Sequence, residues 1–149
     1  MSLLYFEDFP VGARKDCGSR TVTEAEILAF AREFDPQPFH VDEAAAKASM
    51  FGGIIASGWH TASMAMRMQV DAILSKSHSL GSPGIDELRW LKPVRPGDTL
   101  KLTVEVVESR PSQSKPDRGS IKCRYVMTNQ KSEEVMTMVG WGMLARRPH

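Results

Sequence analysis

The sequence predicts an α+β domain in which a curved antiparallel sheet wraps around one long helix. Three observations predict it. From Trp59 to Leu74 almost every helical turn carries apolar residues, and only the narrow stripe of His60, Ser63, Arg67 and Asp71 stays polar, so this helix is expected to be buried on most sides. Four strand-like runs follow: Ile85 to Val94, Thr99 to Val107, Ser120 to Thr128 and Glu134 to Leu144. Turn chemistry at Arg95-Pro96-Gly97-Asp98, the polar segment Arg110 to Gly119, and Asn129 to Glu133 separate them, and such short consecutive connections predict a meander. At 149 residues the chain fits a single domain, 1–149, with room for a sizeable core.

The elements ahead of the helix follow in order. Residues 5 to 20 mix Pro10, Gly12 and Gly18 with short apolar pieces and read as loop and an early strand. Thr23-Glu24-Ala25-Glu26 is a capping box, in which Thr23 caps and Glu26 reaches back. Ile27, Leu28, Phe30, Ala31 and Phe34 continue at helical spacing until Pro36 ends the element. A short helix is expected from Asp42 to Ala48, with Asp42 and Glu43 at its positive end. In the last strand Val135, Thr137, Val139, Trp141 and Met143 share one side.

Composition narrows the function. Apolar residues make up 42% and charged residues 25%, and 19 Lys and Arg against 18 Asp and Glu leave a net charge of +1. Near-neutrality argues against nucleic acid or an anionic membrane as the main partner. Cys17 and Cys123 are too few for a disulfide framework, show no metal-ligand spacing, and are expected to be reduced. Met1 to Asp8 lacks a basic start and a long apolar run, and no apolar stretch reaches membrane-spanning length, so a cytoplasmic location is expected.

The densest chemistry lies in Phe34-Asp35-Pro36-Gln37-Pro38-Phe39-His40. A carboxylate and an imidazole stand near its ends, and two prolines bias Asp35 and Gln37 to extended backbone. A stiff loop carrying one acid and one base suits proton transfer; a proline turn with a solvated Asp and His is the plain alternative. His40-Val41-Asp42 has no third ligand at a convincing spacing, so no metal site is expected.

Four blocks in order, Asp35-Pro-Gln-Pro-Phe-His40-Val-Asp42, Phe51-Gly-Gly53, Ala56-Ser-Gly58-Trp and Leu91-Lys-Pro-Val-Arg-Pro-Gly-Asp98, resemble the MaoC-like dehydratases, which include the (R)-specific enoyl-CoA hydratases. The resemblance spans roughly Tyr5 to Leu144 and implies a hot-dog fold, Asp35 and His40 as the catalytic pair, and Gly58 as a backbone donor to the thioester carbonyl. It also implies a homodimer or higher homo-oligomer, as does the open edge of a single sheet. No cofactor is expected beyond coenzyme A carried by the substrate. This chain departs from the family pattern in having Gln37 where Asn is usual, Phe34 where Gly is usual, and Ser57-Gly58 where His-Gly is usual.

Adding water across a 2-enoyl thioester needs a base for the water, an acid for the α-carbon, and donors for the enolate oxygen. Asp35 and His40 can divide the first two roles, and paired groups titrate as a unit, so which of them is the base stays open. If Ser57 is the N-cap of the long helix, the Gly58 N–H is an unpaired helix donor in the positive end of the dipole. Arg89, Lys92 and Arg95 are candidates for coenzyme A phosphates, with solvated strand-end charges as the alternative. Met64, Met66 and Met68 are candidates for an adaptable acyl pocket, and Ser75 to Gly84 for its rim. The leading expectation is therefore a hydro-lyase on acyl-CoA. A hot-dog thioesterase is weaker, because the long helix offers only Asp71, far from its start; a non-catalytic acyl-CoA-binding protein is the third possibility.

Overall fold

The computed structural model describes residues 2–148, so both ends of the expected 1–149 domain, Met1 and His149, lie outside the described residues. Its regular elements are β1 (Arg14–Thr21), α1 (Glu24–Phe34), α2 (Pro38–Val41), α3 (Glu43–Ala48), α4 (Gly58–Ala72), β2 (Gly84–Trp90), β3 (Thr99–Pro111), β4 (Arg118–Thr128) and β5 (Glu134–Ala145). Five antiparallel strands form one sheet in the order β1-β3-β4-β5-β2, and α4 lies in its concave face. This is the expected hot-dog architecture.

Local chemistry accounts for the helices before α4. Thr23 accepts the Glu26 N–H at 3.2 Å, so half of the capping box forms. Its other half does not, because the Glu26 carboxylate pairs with Arg20 at 3.3 Å instead. Asp42 caps α3 by accepting the Ala45 N–H at 3.1 Å. Between them stands a one-turn helix not foreseen from the sequence. Pro38 occupies its first turn, where a missing N–H costs nothing, and Gln37 precedes it in extended backbone at φ −72°, ψ 146°.

The strands depart from a simple meander. β3, β4 and β5 pair consecutively, but β2 joins the far side of β5 rather than β3, and it stops at Trp90. The connection from Leu91 to Asp98 must therefore cross the start of α4. It is anchored there: buried Val94 accepts the Ala56 N–H through its carbonyl at 2.8 Å, and Gly97 turns at φ 86° while its N–H meets the Val22 carbonyl. In β5 the side carrying Thr137, Val139, Trp141 and Met143 is the half-exposed convex face; Val135, expected with them, is fully buried where the pairing with β4 shifts register at Met127/Thr128, and Met136, Met138 and Leu144 point inward.

Helix α4 is less enclosed than its composition predicts. Thr61, Met64, Ala65 and Met68 are buried, whereas Trp59 is 58% and Met66 47% exposed. The physical reason is geometric: one five-stranded sheet with α1 covers only part of a helix circumference. Arg67 and Asp71 pair on the solvent side at 3.0 Å, as their spacing predicts. His60 leaves the polar stripe, because Phe30 of α1 lies flat on its ring at 4.8 Å and buries it. No helix is long and apolar enough to cross a membrane among the described residues.

Candidate active site

Asp35 ends α1, and His40 stands one short helix later, so the stiff segment between them folds the two side chains back on each other. His40 Nε2 lies 3.2 Å from Asp35 Oδ2, and the imidazole is buried rather than solvated. His40 Nδ1 is 2.6 Å from the Ile55 carbonyl oxygen. A carbonyl can only accept, so Nδ1 carries a hydrogen and Nε2 is the nitrogen presented to the acid. A bare Nε2 facing a carboxylate oxygen would set lone pair against lone pair. The contact therefore holds one proton between the two groups.

Several groups act on Asp35. Burial pushes its pKa up, but the hydrogen bond from the Gln37 amide, the neighbouring Ser57 hydroxyl dipole, and the charge and proton of His40 outweigh it and leave the carboxyl below its ordinary value. Gln37 Nε2 donates to Asp35 Oδ1 at 2.7 Å, so the longer amide of this chain still reaches the acid. Ser57 is the N-cap of α4, as expected, yet its fully buried hydroxyl makes no capping bond and has no well-aligned partner of its own.

Gly58 is the first residue of α4, so its N–H belongs to the unpaired helix start. Its missing side chain has a second role that the sequence did not reveal. A Cβ there would fall 2.5 to 2.8 Å from the Trp90 indole, and Trp90 Nε1 donates to the Gly58 carbonyl at 2.8 Å. Trp59 meets the same indole edge-on at 5.1 Å between centroids. Glycine therefore admits a tryptophan wall beside the helix start. A cavity of about 480 Å³ is bounded by this wall and lined by Asp35, Gln37, His40, Gly58 and Thr61.

The expected phosphate contacts separate. Lys92 lines this cavity, with its ammonium bonded to Glu133. Arg89 bonds to Glu87 and, one residue from Trp90 on a strand, faces the opposite side. The Arg95 guanidinium donates to the Phe51 carbonyl at 2.7 Å. Met64, Met66, Met68 and the Ser75–Gly84 segment do not line this cavity: they lie too far down α4. Among the described residues no group of three or more His, Cys, Asp or Glu is gathered closely enough to hold a metal ion.

Comparison with known proteins is consistent along the chain. Residues 9–126 match the family model of the MaoC-like domain. A crystal structure of the MaoC-like dehydratase from Rhodospirillum rubrum superposes with a TM-score of 0.91 at 45% identity, covering 98% of this chain and 99% of that one. The (R)-specific enoyl-CoA hydratase of the same organism is 34% identical over 109 residues, 70% of each chain. The uncharacterized Bacillus subtilis protein YdeM is 31% identical over 129 residues, 87% of this chain and 90% of its own.

Proposed function

The chain belongs to the MaoC-like dehydratase family, and we propose that it adds water reversibly to a 2-enoyl-CoA thioester. The observation that carries this reading is the Asp35–His40 contact of 3.2 Å at the start of α4. The named activity of the R. rubrum hydratase relative supports the same chemistry.

In the forward direction a water oxygen attacks C3 of the double bond and gives one proton to the pair. The pair returns its other proton to C2, so it ends with the single proton it began with. Positioned acid–base chemistry of this type contributes about 10²–10⁴-fold. Negative charge passes through the thioester oxygen on the way, and the Gly58 N–H at the positive end of α4 is where it is held. Gln37 aims Asp35, and Gln37 with the nearby Ser57 hydroxyl favours its ionised form. Lys92, at the cavity edge, is the residue of the three cations suited to coenzyme A phosphate. The working unit is a homodimer.

Hydrolysis of the thioester is the weaker reading. Asp71, the acid on α4, is exposed and paired to Arg67, thirteen residues and therefore about 20 Å from Gly58. Crotonyl-CoA supplied to the purified protein, with enoyl absorbance and free thiol followed side by side, separates the possibilities. Hydration without thiol release is expected. Thiol release alone would point to a thioesterase, and coenzyme A binding with neither change to a non-catalytic binder.

A further inference from the structure

Two of the four sequence blocks, Phe51-Gly-Gly53 and Leu91 to Asp98, take no part in the Asp35–His40 contact, yet the structure fastens them to each other. Between the first block and α4 runs a strap, residues 51–56, that carries the Ile55 carbonyl. This carbonyl meets His40 Nδ1 at 2.6 Å, and the Ile55 N–H donates to the Phe39 carbonyl at 3.2 Å. The direction of the imidazole, and the nitrogen that keeps its hydrogen, therefore follow the position of the strap.

The strap has little stiffness of its own. Gly52 stands at φ 70° with Gly53 next to it, so the backbone ahead of Ile55 has the freedom of two glycines. It is held at two points, both from the Leu91–Asp98 connection. The Ala56 N–H donates to the Val94 carbonyl at 2.8 Å, an anchor made by main chain alone. The other anchor is a side chain: the Arg95 guanidinium donates to the Phe51 carbonyl at 2.7 Å. Arg95 is fixed in turn, since its backbone N–H donates to Asp98 Oδ2 at 2.9 Å and Asp98 Oδ1 accepts from the Gln130 amide at 2.9 Å. The Phe51 ring tilts against Phe39 at 5.2 Å between centroids, and Phe39 meets the His40 ring edge-on at 4.5 Å. Arg95 does not border the Asp35 cavity, so it reaches the chemistry through the strap.

We propose that Arg95 is a positioning residue for His40: by holding the Phe51 carbonyl it sets the Ile55 carbonyl, and with it the imidazole, in the geometry that faces Asp35. The inference rests on the hydratase reading of the pair.

Arg95→Met, at an exposed position, keeps the length of the side chain and removes its donors. With crotonyl-CoA it should lower kcat by about 10–10²-fold and leave KM nearly unchanged, because a small misplacement of a reacting group costs that much. The crotonyl thioester of N-acetylcysteamine, which has no phosphates, should show the same fold-loss. The Nδ1–H proton resonance of His40 should shift or broaden while circular dichroism stays unchanged. A rise in KM confined to crotonyl-CoA would overturn the proposal in favour of a phosphate contact. Unchanged kcat on both thioesters would overturn it too, as would a lowered kcat with the His40 resonance unmoved. A wild type that hydrates neither thioester would instead end the hydratase reading, and the His40 resonance alone would then decide the role of Arg95.

Discussion

At the scale of single residues, Asp35 and His40 act as one device but differ in what they do for the fold. Asp35→Asn and His40→Gln should each lower enoyl-CoA hydration by about 10²–10⁴-fold, and the double variant should be little worse than either single. Steady-state hydration kinetics check this, with kcat falling more than KM rises. The sequence alone suggests that both changes spare stability, because both residues stand on a proline-rich loop. Burial of His40 against the Ile55 carbonyl changes that expectation: His40→Gln should cost about 1–3 kcal/mol by urea unfolding, since a buried acceptor loses its donor. Asp35→Asn should cost less at neutral pH. The pH dependence has a defined sign. Asp35 has a folded pKa below its unfolded value, so its stabilisation is present above the ordinary carboxylate pKa and is lost as pH falls through the folded value. The stability gap between wild type and Asp35→Asn should therefore close in strong acid. The pair was legible in the sequence because proline leaves so few backbone paths between acid and base. The Ile55 carbonyl was not, since a main-chain acceptor carries no residue-type signal.

Elements meet where α4 begins, and two predictions belong to that junction. Gly58→Ala pushes a methyl group into the Trp90 indole, so it should destabilise by about 1–3 kcal/mol in chemical denaturation. Adding Trp90→Leu should recover part of that loss if the clash is its cause; no recovery would mean that glycine is needed there for another reason. The second concerns His60, sandwiched between α4 and Phe30 of α1. Burial lowers its pKa, the nearby Glu26 opposes that shift and Arg20 adds to it. A histidine with a depressed folded pKa contributes stability above its ordinary value of 6.5, and that contribution is lost as pH falls below it. His60→Gln should therefore flatten the wild-type loss of thermal stability between neutral pH and about pH 5. Both features illustrate what local sequence patterns omit. Helical spacing located α4 and its start closely and set His60 on the polar stripe as a structural or interface residue, but did not show that Phe30 covers it, because periodicity assigns a stripe without knowing which neighbouring helix covers its first turn. Alternation likewise found the two sides of β5 but did not mark the inner one. The pairing of β2 with β5 has no local signature: it is decided by how the connection from Leu91 to Asp98 passes the helix start.

For the whole molecule, the unmet demand is the open side of the hot-dog. β2 is an edge strand exposed over nearly its whole length, and Trp59, Met66, Ile85, Trp90 and Leu91 all stand between 44% and 58% exposed on it, beside it or on the facing side of α4. An exposed edge flanked by apolar side chains in this way invites pairing with another chain, and a monomer would normally blunt it with charges or a cover. β2 does carry Asp86, Glu87 and Arg89, but Arg89 is bonded to Glu87 within the strand, so the nearest charges are already partly satisfied in the single chain. Pairing through β2 and α4 would bring two copies of the tryptophan wall toward one interface and place each Asp35 cavity beside it. Light scattering at micromolar concentration should accordingly give a mass about twice the 16.6 kDa of one chain. Ile85→Lys puts an ammonium in the middle of the apolar row without touching the Asp35–His40 contact, and should shift the mass toward one chain. Wild type remaining monomeric at that concentration would sink the dimer; a dimer untouched by Ile85→Lys would move the interface away from β2. If the cavity needs the partner to exclude water, the Ile85→Lys monomer should lose hydration activity together with mass, and recover it at protein concentrations that restore the pair.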